Sequence, residues 1–96
     1  MKIEFNKKGN EFIVALEGRL DTTTAPEFES FLNENYNSGM SLTINCEKLV
    51  YISSAGLRVL LVAQKRSKGN MKLTKVCELV MEVIQMTGFA DILVIE

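Results

Sequence analysis

The chain has 96 residues, 47% of them apolar and 24% charged, which suits one small globular domain over residues 1–96 and excludes both a disordered chain and a pair of domains. Its 11 basic and 12 acidic side chains leave a net charge of −1, too little positive charge for direct binding of nucleic acid through its phosphates. There is no histidine, so a histidine base, a histidine-centred triad and a histidine-ligated metal are all excluded.

The pattern of apolar residues gives the elements in chain order. Lys2 to Asn6 alternates, with Ile3 and Phe5 on one side, and after the turn Lys7-Lys8-Gly9-Asn10 the run Phe12 to Leu16 completes a predicted β-hairpin. Gly18 to Thr23 reads as a loop. Thr24 and Glu27 have the spacing of a capping box, with Pro26 in the first turn where its missing N–H costs little. Phe28, Phe31, Leu32 and Tyr36 then recur at helical spacing and make one buried stripe, ended by Asn37-Ser38-Gly39. Ser41 to Cys46 alternates as a strand. A second helix is predicted from about Ala55 to Ser67, a strand from Met71 to Val76, a third helix from Glu78 to Met86, and a last strand over Ile92 to Ile95. The order ββαβαβαβ implies an α/β fold with a mixed, mostly parallel sheet and helices packed against it. In such a sheet the segments Gly18–Thr23, Glu47–Ser54 and the junction near Cys77 would emerge at one edge, where ligands and partners bind.

Cys46 and Cys77 lie in apolar runs with no second pair. They read as reduced core residues, and a tetrahedral zinc site needs more ligands than they supply. The start Met-Lys-Ile-Glu-Phe-Asn lacks the pattern of a signal peptide, and no apolar run approaches the about 20 residues of a membrane span. A cytoplasmic protein without membrane insertion is the expectation. Cys77 has no base partner in the sequence, no pair of carboxylates falls in an evident cleft motif, and neither phosphate-binding glycine motif occurs. No enzymatic activity, metal or cofactor is expected. Met71, Met81 and Met86 read as core fillers or as flexible contact surface.

The stretch Leu49 to Leu60 is the most unusual. An apolar connection leads to Ser53 and Ser54, which fall where the second helix begins. One of them can serve as the helix cap, its hydroxyl accepting a bond from a free helix N–H. The same place suits an anion, because a helix N-terminus offers free N–H groups and the positive end of the dipole. Gly56 in the first turn costs roughly 0.5–1 kcal/mol relative to alanine, which close approach of a partner or a neighbouring strand would explain. Arg58, one turn on, reads either as a solvated helix residue or as a pairing group, and Asp21 either as a turn residue or as part of a contact loop.

The run Tyr51-Ile52-Ser53-Ser54-Ala55-Gly56-Leu57-Arg58-Val59-Leu60 resembles the signature of bacterial anti-sigma factor antagonists, in the STAS domain family. Gly18-Arg19-Leu20-Asp21-Thr22-Thr23-Thr24-Ala25 is similar to the family's entry to its first helix, and Met86-Thr87-Gly88-Phe89-Ala90-Asp91-Ile92-Leu93 to its close before the last strand. The family's signature reads Asp-Ser-Ser/Thr-Gly-Leu, so matching on Gly56-Leu57 puts Ser54 at the phosphoacceptor position, with Ser53 in place of the aspartate and Ala55 in place of the second hydroxyl residue. Many members continue into a fourth helix, whereas this sequence stops at Glu96. The resemblance implies a switch. Unphosphorylated, such a domain captures an anti-sigma factor that is also a serine kinase and so frees a sigma factor; phosphorylation releases it, and a PP2C-type phosphatase restores it. By the same resemblance Ser53 is a supporting residue, Asp21, Thr22 and Thr23 belong to the contact loop, and Gly56 and Arg58 lie in the partner surface. The alternative is a constitutive STAS interaction module, serving a lipid-transport ABC system or a signalling scaffold, in which Ser54 is only a cap.

Overall fold

The computed structural model describes residues Met1 to Glu96. The alternating N-terminal run forms β1 (Lys2–Lys8) and β2 (Glu11–Leu20), paired antiparallel through the two-residue connection Gly9-Asn10. Gly9 takes a positive φ of 63° there, which a two-residue hairpin turn demands and glycine supplies without steric cost. The chain continues through α1 (Ala25–Asn35), β3 (Ser41–Ile52), α2 (Ser54–Arg66), β4 (Met71–Thr74), α3 (Glu78–Met86) and a 3-10 turn at Phe89–Asp91.

The sheet order is β1-β2-β3-β4, with β2, β3 and β4 parallel. Phe12, Val14 and Leu16 of β2, Leu42, Ile44 and Cys46 of β3, and Met71 and Leu73 of β4 share one face. They join a single core with Phe28 and Leu32 of α1, Leu57, Leu60 and Ala63 of α2, and Val80 and Ile84 of α3. The alternate residues Ile13, Ala15, Asn45, Lys72 and Thr74 stay partly exposed on the other face. This is an α/β domain with a four-stranded mixed sheet and three helices, the class that alternating strands and helices predict.

Several boundaries differ from the sequence expectation. The expected loop beginning at Gly18 is strand as far as Leu20, and the expected loop beginning at Glu47 is strand as far as Ile52. Between the pairs Ala15↔Asn45 and Glu17↔Lys48, and again between Gly18↔Leu49 and Arg19↔Tyr51, β3 carries one residue more than β2. These two bulges break the period-two alternation after Cys46 while the ladder runs on.

The fourth strand stops at Thr74 because Lys75 turns into the left-handed region at φ 56°. The expected last strand is reduced to one parallel bridge, Leu73↔Ile95: the Leu73 N–H donates to the Val94 carbonyl, and the Glu96 N–H to the Leu73 carbonyl. Ile92 is still in a helical conformation as the 3-10 turn ends, and β4 is only four residues long, so little ladder is left to pair. No helix is long and apolar enough to cross a membrane. Both cysteines are free thiols. Cys46 is buried, which together with the nearby Cys77 pushes its pKa up to about 12, and Cys77 is partly buried.

Candidate partner-binding and phosphoacceptor site

Because β2 and β3 are parallel and end together at the pair Leu20↔Ile52, the segments that follow them leave from one edge of the sheet. The Ser53 N–H donates to the Leu20 carbonyl at 3.0 Å, tying the start of α2 to the end of β2. Gly56 makes this possible. A Cβ there would lie 2.7 Å from both Cγ and the carbonyl oxygen of Leu20, and 3.0 Å from Cγ1 of Ile52. The glycine is accounted for by the close approach of the neighbouring strand.

The segment after β2 is closed on itself. Asp21 Oδ1 accepts hydrogen bonds from the Thr23 N–H (3.0 Å), the Thr23 hydroxyl (2.9 Å) and the Thr24 N–H (3.2 Å). The Thr24 hydroxyl accepts from the Asp21 N–H at 2.8 Å and donates to the Arg19 carbonyl at 2.7 Å. These donors, the Thr23 hydroxyl foremost and then the Thr24 N–H, hold the Asp21 carboxyl down at about 2 from its usual 3.8. The expected capping box is therefore absent. Thr24 already has helical φ/ψ and its hydroxyl faces back into the loop, so it makes no side-chain bond to the helix. The first N–H of α1 is satisfied instead by the Asp21 carbonyl, at 2.8 Å from Ala25. Asp21 and Thr23 have the geometry of turn residues, while Thr22 is exposed with no side-chain hydrogen bond.

The start of α2 is built the opposite way. Ser53 is the N-cap, in extended conformation, but its hydroxyl caps nothing: it is buried and makes no hydrogen bond. Ser54 is the first helical residue and is exposed. The expectation that one serine hydroxyl accepts a bond from a helix N–H is thus corrected. Ser53 points inward from the strand end, and Ser54 is already inside the helix, where its hydroxyl cannot reach back over the N–H groups it precedes. The first hydrogen bond of the turn is from the Leu57 N–H to the Ser53 carbonyl at 2.9 Å, so the N–H groups of Ser54, Ala55 and Gly56 have no protein acceptor. Three free donors and an exposed hydroxyl lie together at the positive end of a 13-residue helix, where an added anion is favoured.

Arg58 is exposed one turn after Ser54. Together with Thr22, Pro26, Ala55 and Val59 it lines an open hollow of about 170 Å³ between α1 and α2. The structure therefore brings Thr22 and Arg58 to one depression beside Ser54, and leaves the side chains of Asp21 and Thr23 committed to their own loop.

Sequence reasoning missed two members of this edge. The Arg19 guanidinium lies over the Tyr51 ring, 4.2 Å from its centroid, and its Nε is 3.5 Å from Asp21 Oδ2. The signal was the parallel register, which sets Arg19 opposite Tyr51, but the second bulge hides that register from any count along the sequence. No group of three or more Cys, Asp or Glu side chains is placed to hold a metal ion.

The sequence model for the STAS domain matches residues 2–96. The chain belongs to the STAS domain family. A Bordetella bronchiseptica protein provisionally named anti-sigma factor antagonist BtrV is 32% identical over 96 residues, covering 96% of this chain and 83% of that protein. Two solved structures share the fold of this STAS domain. The anti-sigma factor antagonist SpoIIAA in its unphosphorylated form gives a TM-score of 0.79 at 15% identity, over 99% of this chain and 88% of that one. The Bacillus cell fate determinant SpoIIAA in the phosphorylated form gives 0.71 at 15% identity, over 99% and 91%.

Proposed function

We propose that this STAS domain is an anti-sigma factor antagonist switched by phosphorylation of Ser54. The observation that carries the reading is the contrast between the two serines: Ser53 is buried at its hydroxyl, and Ser54 is exposed at an α2 N-terminus whose first three N–H groups have no protein acceptor. The similarity to BtrV and the existence of SpoIIAA in both phosphorylation states support it.

In the bare state the edge formed by Thr22, Ser54, Arg58 and the hollow between α1 and α2 receives an anti-sigma factor with serine kinase activity, while Gly56, buried against Leu20, lies beneath that surface and not in it; the sigma factor that this partner would otherwise hold goes free. The kinase transfers the γ-phosphoryl group of ATP to the Ser54 oxygen; the new P–O bond replaces the one to ADP, and the hydroxyl proton is lost. The phosphoserine carries roughly −1.5 to −2 charges. The free N–H groups of α2 accommodate it without unfolding the helix, while a partner surface shaped around a neutral hydroxyl meets a bulky anion. Hydrolysis by a PP2C-type phosphatase returns the bare serine. Asp21, Thr23 and Ser53 act through position, the first two by holding the loop that presents Thr22.

The test is peptide mass spectrometry on the protein from its native cells, during growth and after stress. A phosphoryl group on Ser54 whose occupancy changes, with a kinase-like protein co-purifying only with the bare form, is the expected result. Ser54 bare throughout, with a transporter or scaffold attached, replaces the switch by a constitutive module.

A further inference from the structure

All 11 lysines and arginines lie before Val76, and from Val76 to Glu96 the charged side chains are Glu78, Glu82, Asp91 and Glu96 alone. The acidic segment includes α3, whose inward face is settled by Val80 and Ile84, both buried. Next to that face Leu79, Val83 and Met86 recur at spacings of four and three as one stripe along the helix, Val83 half-buried against the core and Leu79 and Met86 outside it. Leu79 is 51% exposed and Met86 86% exposed, with Val83 partly so. On a helical wheel this stripe runs directly beside Glu78 and Glu82, which are exposed and make no ion pair within the chain. Exposed apolar side chains scattered singly need no explanation, but a stripe flanked by unpaired like charges marks a contact surface. An unbranched, flexible methionine at its end suits a surface that packs against another helix.

We infer that the outer face of α3 is a second docking surface, carried by a different helix from Ser54, and that its occupant is a basic amphipathic helix of a partner protein. Apolar anchors at helical spacing on that helix would cover Leu79, Val83 and Met86, and its lysines or arginines would pair with Glu78 and Glu82. The charge excludes anionic surfaces such as acidic lipid headgroups, which the α3 carboxylates repel.

The test is an amide NMR titration of the full chain with a leucine/lysine amphipathic peptide of roughly 18 residues, long enough to form a helix on binding, and with its leucine/glutamate counterpart. The basic peptide is expected to shift the amides of residues 78–86, with binding weakened about tenfold or more between roughly 0.05 M and 0.5 M salt as the charges are screened. L79S together with M86S, both at exposed positions that leave Val80 and Ile84 in the core, abolishes the shifts. E78K together with E82K, which leaves the apolar stripe intact, transfers binding to the acidic peptide. No shift on α3, equal binding of both peptides by the parent, or shifts confined to residues 53–58 overturns the proposal. So does a change in the α3 amides on simple dilution of the chain, which would make a second copy the occupant.

Discussion

The Cα of Gly56 faces Leu20 so closely that a single added methyl group would sit 2.7 Å from both the Cγ and the carbonyl oxygen of that leucine. One of these neighbours is backbone, whose oxygen also accepts the Ser53 N–H, and it cannot rotate away. Gly56→Ala gains about 0.5–1 kcal/mol of helix propensity against an overpacking cost of typically 1–3 kcal/mol. A net loss of about 1–2 kcal/mol in urea unfolding is expected, with amide shifts at Leu20 and Ser53. A variant as stable as the parent would show that α2 does not pack on the end of β2.

The two serines should separate cleanly in stability. A buried polar group without a partner costs about 1–3 kcal/mol of desolvation, so Ser53→Ala is expected to be neutral or stabilising by up to about 1 kcal/mol. Ser54→Ala removes an exposed hydroxyl that caps nothing and should fall within about 0.5 kcal/mol of the parent. The opposite order, with Ser53→Ala losing the stability of a lost cap, would place the Ser53 hydroxyl on a helix N–H.

Charge at Ser54 should act on binding rather than folding. Ser54→Asp puts a carboxylate at the positive end of α2, worth about 0.3–1 kcal/mol in its favour, so its unfolding midpoint should equal or exceed the parent's. Calorimetry against the proposed anti-sigma factor partner should then give weaker binding for Ser54→Asp, and, if that partner is the kinase, parent-like binding without release by ATP for Ser54→Ala. Tight binding by Ser54→Asp would remove the electrostatic basis of the switch.

Acid should reach the loop after β2 late. The Asp21 carboxyl is held at about 2 in the folded protein, below its usual 3.8, first by the Thr23 hydroxyl and then by the Thr24 N–H. A depressed carboxyl contributes stability that is complete above its unfolded value and is lost as pH falls through the folded one. The Thr23 and Thr24 amide shifts should therefore hold through pH 3.8 and titrate with a midpoint near 2. A midpoint at the ordinary value would mean the three donors do not engage the carboxylate, and Asp21→Asn should abolish the titration.

Arg19 links the two segments of the edge through the Tyr51 ring on one side and Asp21 on the other. A double-mutant cycle with Arg19→Ala and Tyr51→Leu is expected to give a coupling of about 0.5–1 kcal/mol, the size of a cation–π contact near the surface. Tyr51→Phe should retain it, since the ring and not the hydroxyl is involved. Zero coupling would reduce the pair to chance proximity.

The helices were legible because their apolar periodicity is local: α3 spans the predicted Glu78–Met86, and α2 begins one residue before the expected Ala55. Gly56 announced a close approach by being an expensive residue in a first turn. Strand ends were not legible, because the bulges in β3 interrupt the alternation at Glu47-Lys48 while the parallel ladder continues to Ile52. The Thr24–Glu27 spacing misled for a related reason. A hydroxyl bonds what the folded loop brings nearest, and here that is Asp21 and Arg19.

By itself the sequence determined the α/β class, the absence of any histidine chemistry, the edge at which β2 and β3 deliver their loops, and the serine pair at the head of α2. Only the tertiary structure decided which serine is presented, that the first N–H of α1 is bonded by its own loop while α2 starts with three free N–H groups, and that Arg19 meets Tyr51. Those outcomes depend on the register between strands distant in sequence and on how closely Leu20 approaches Gly56. Such contacts are set when the whole core packs, and no local period along the chain carries them.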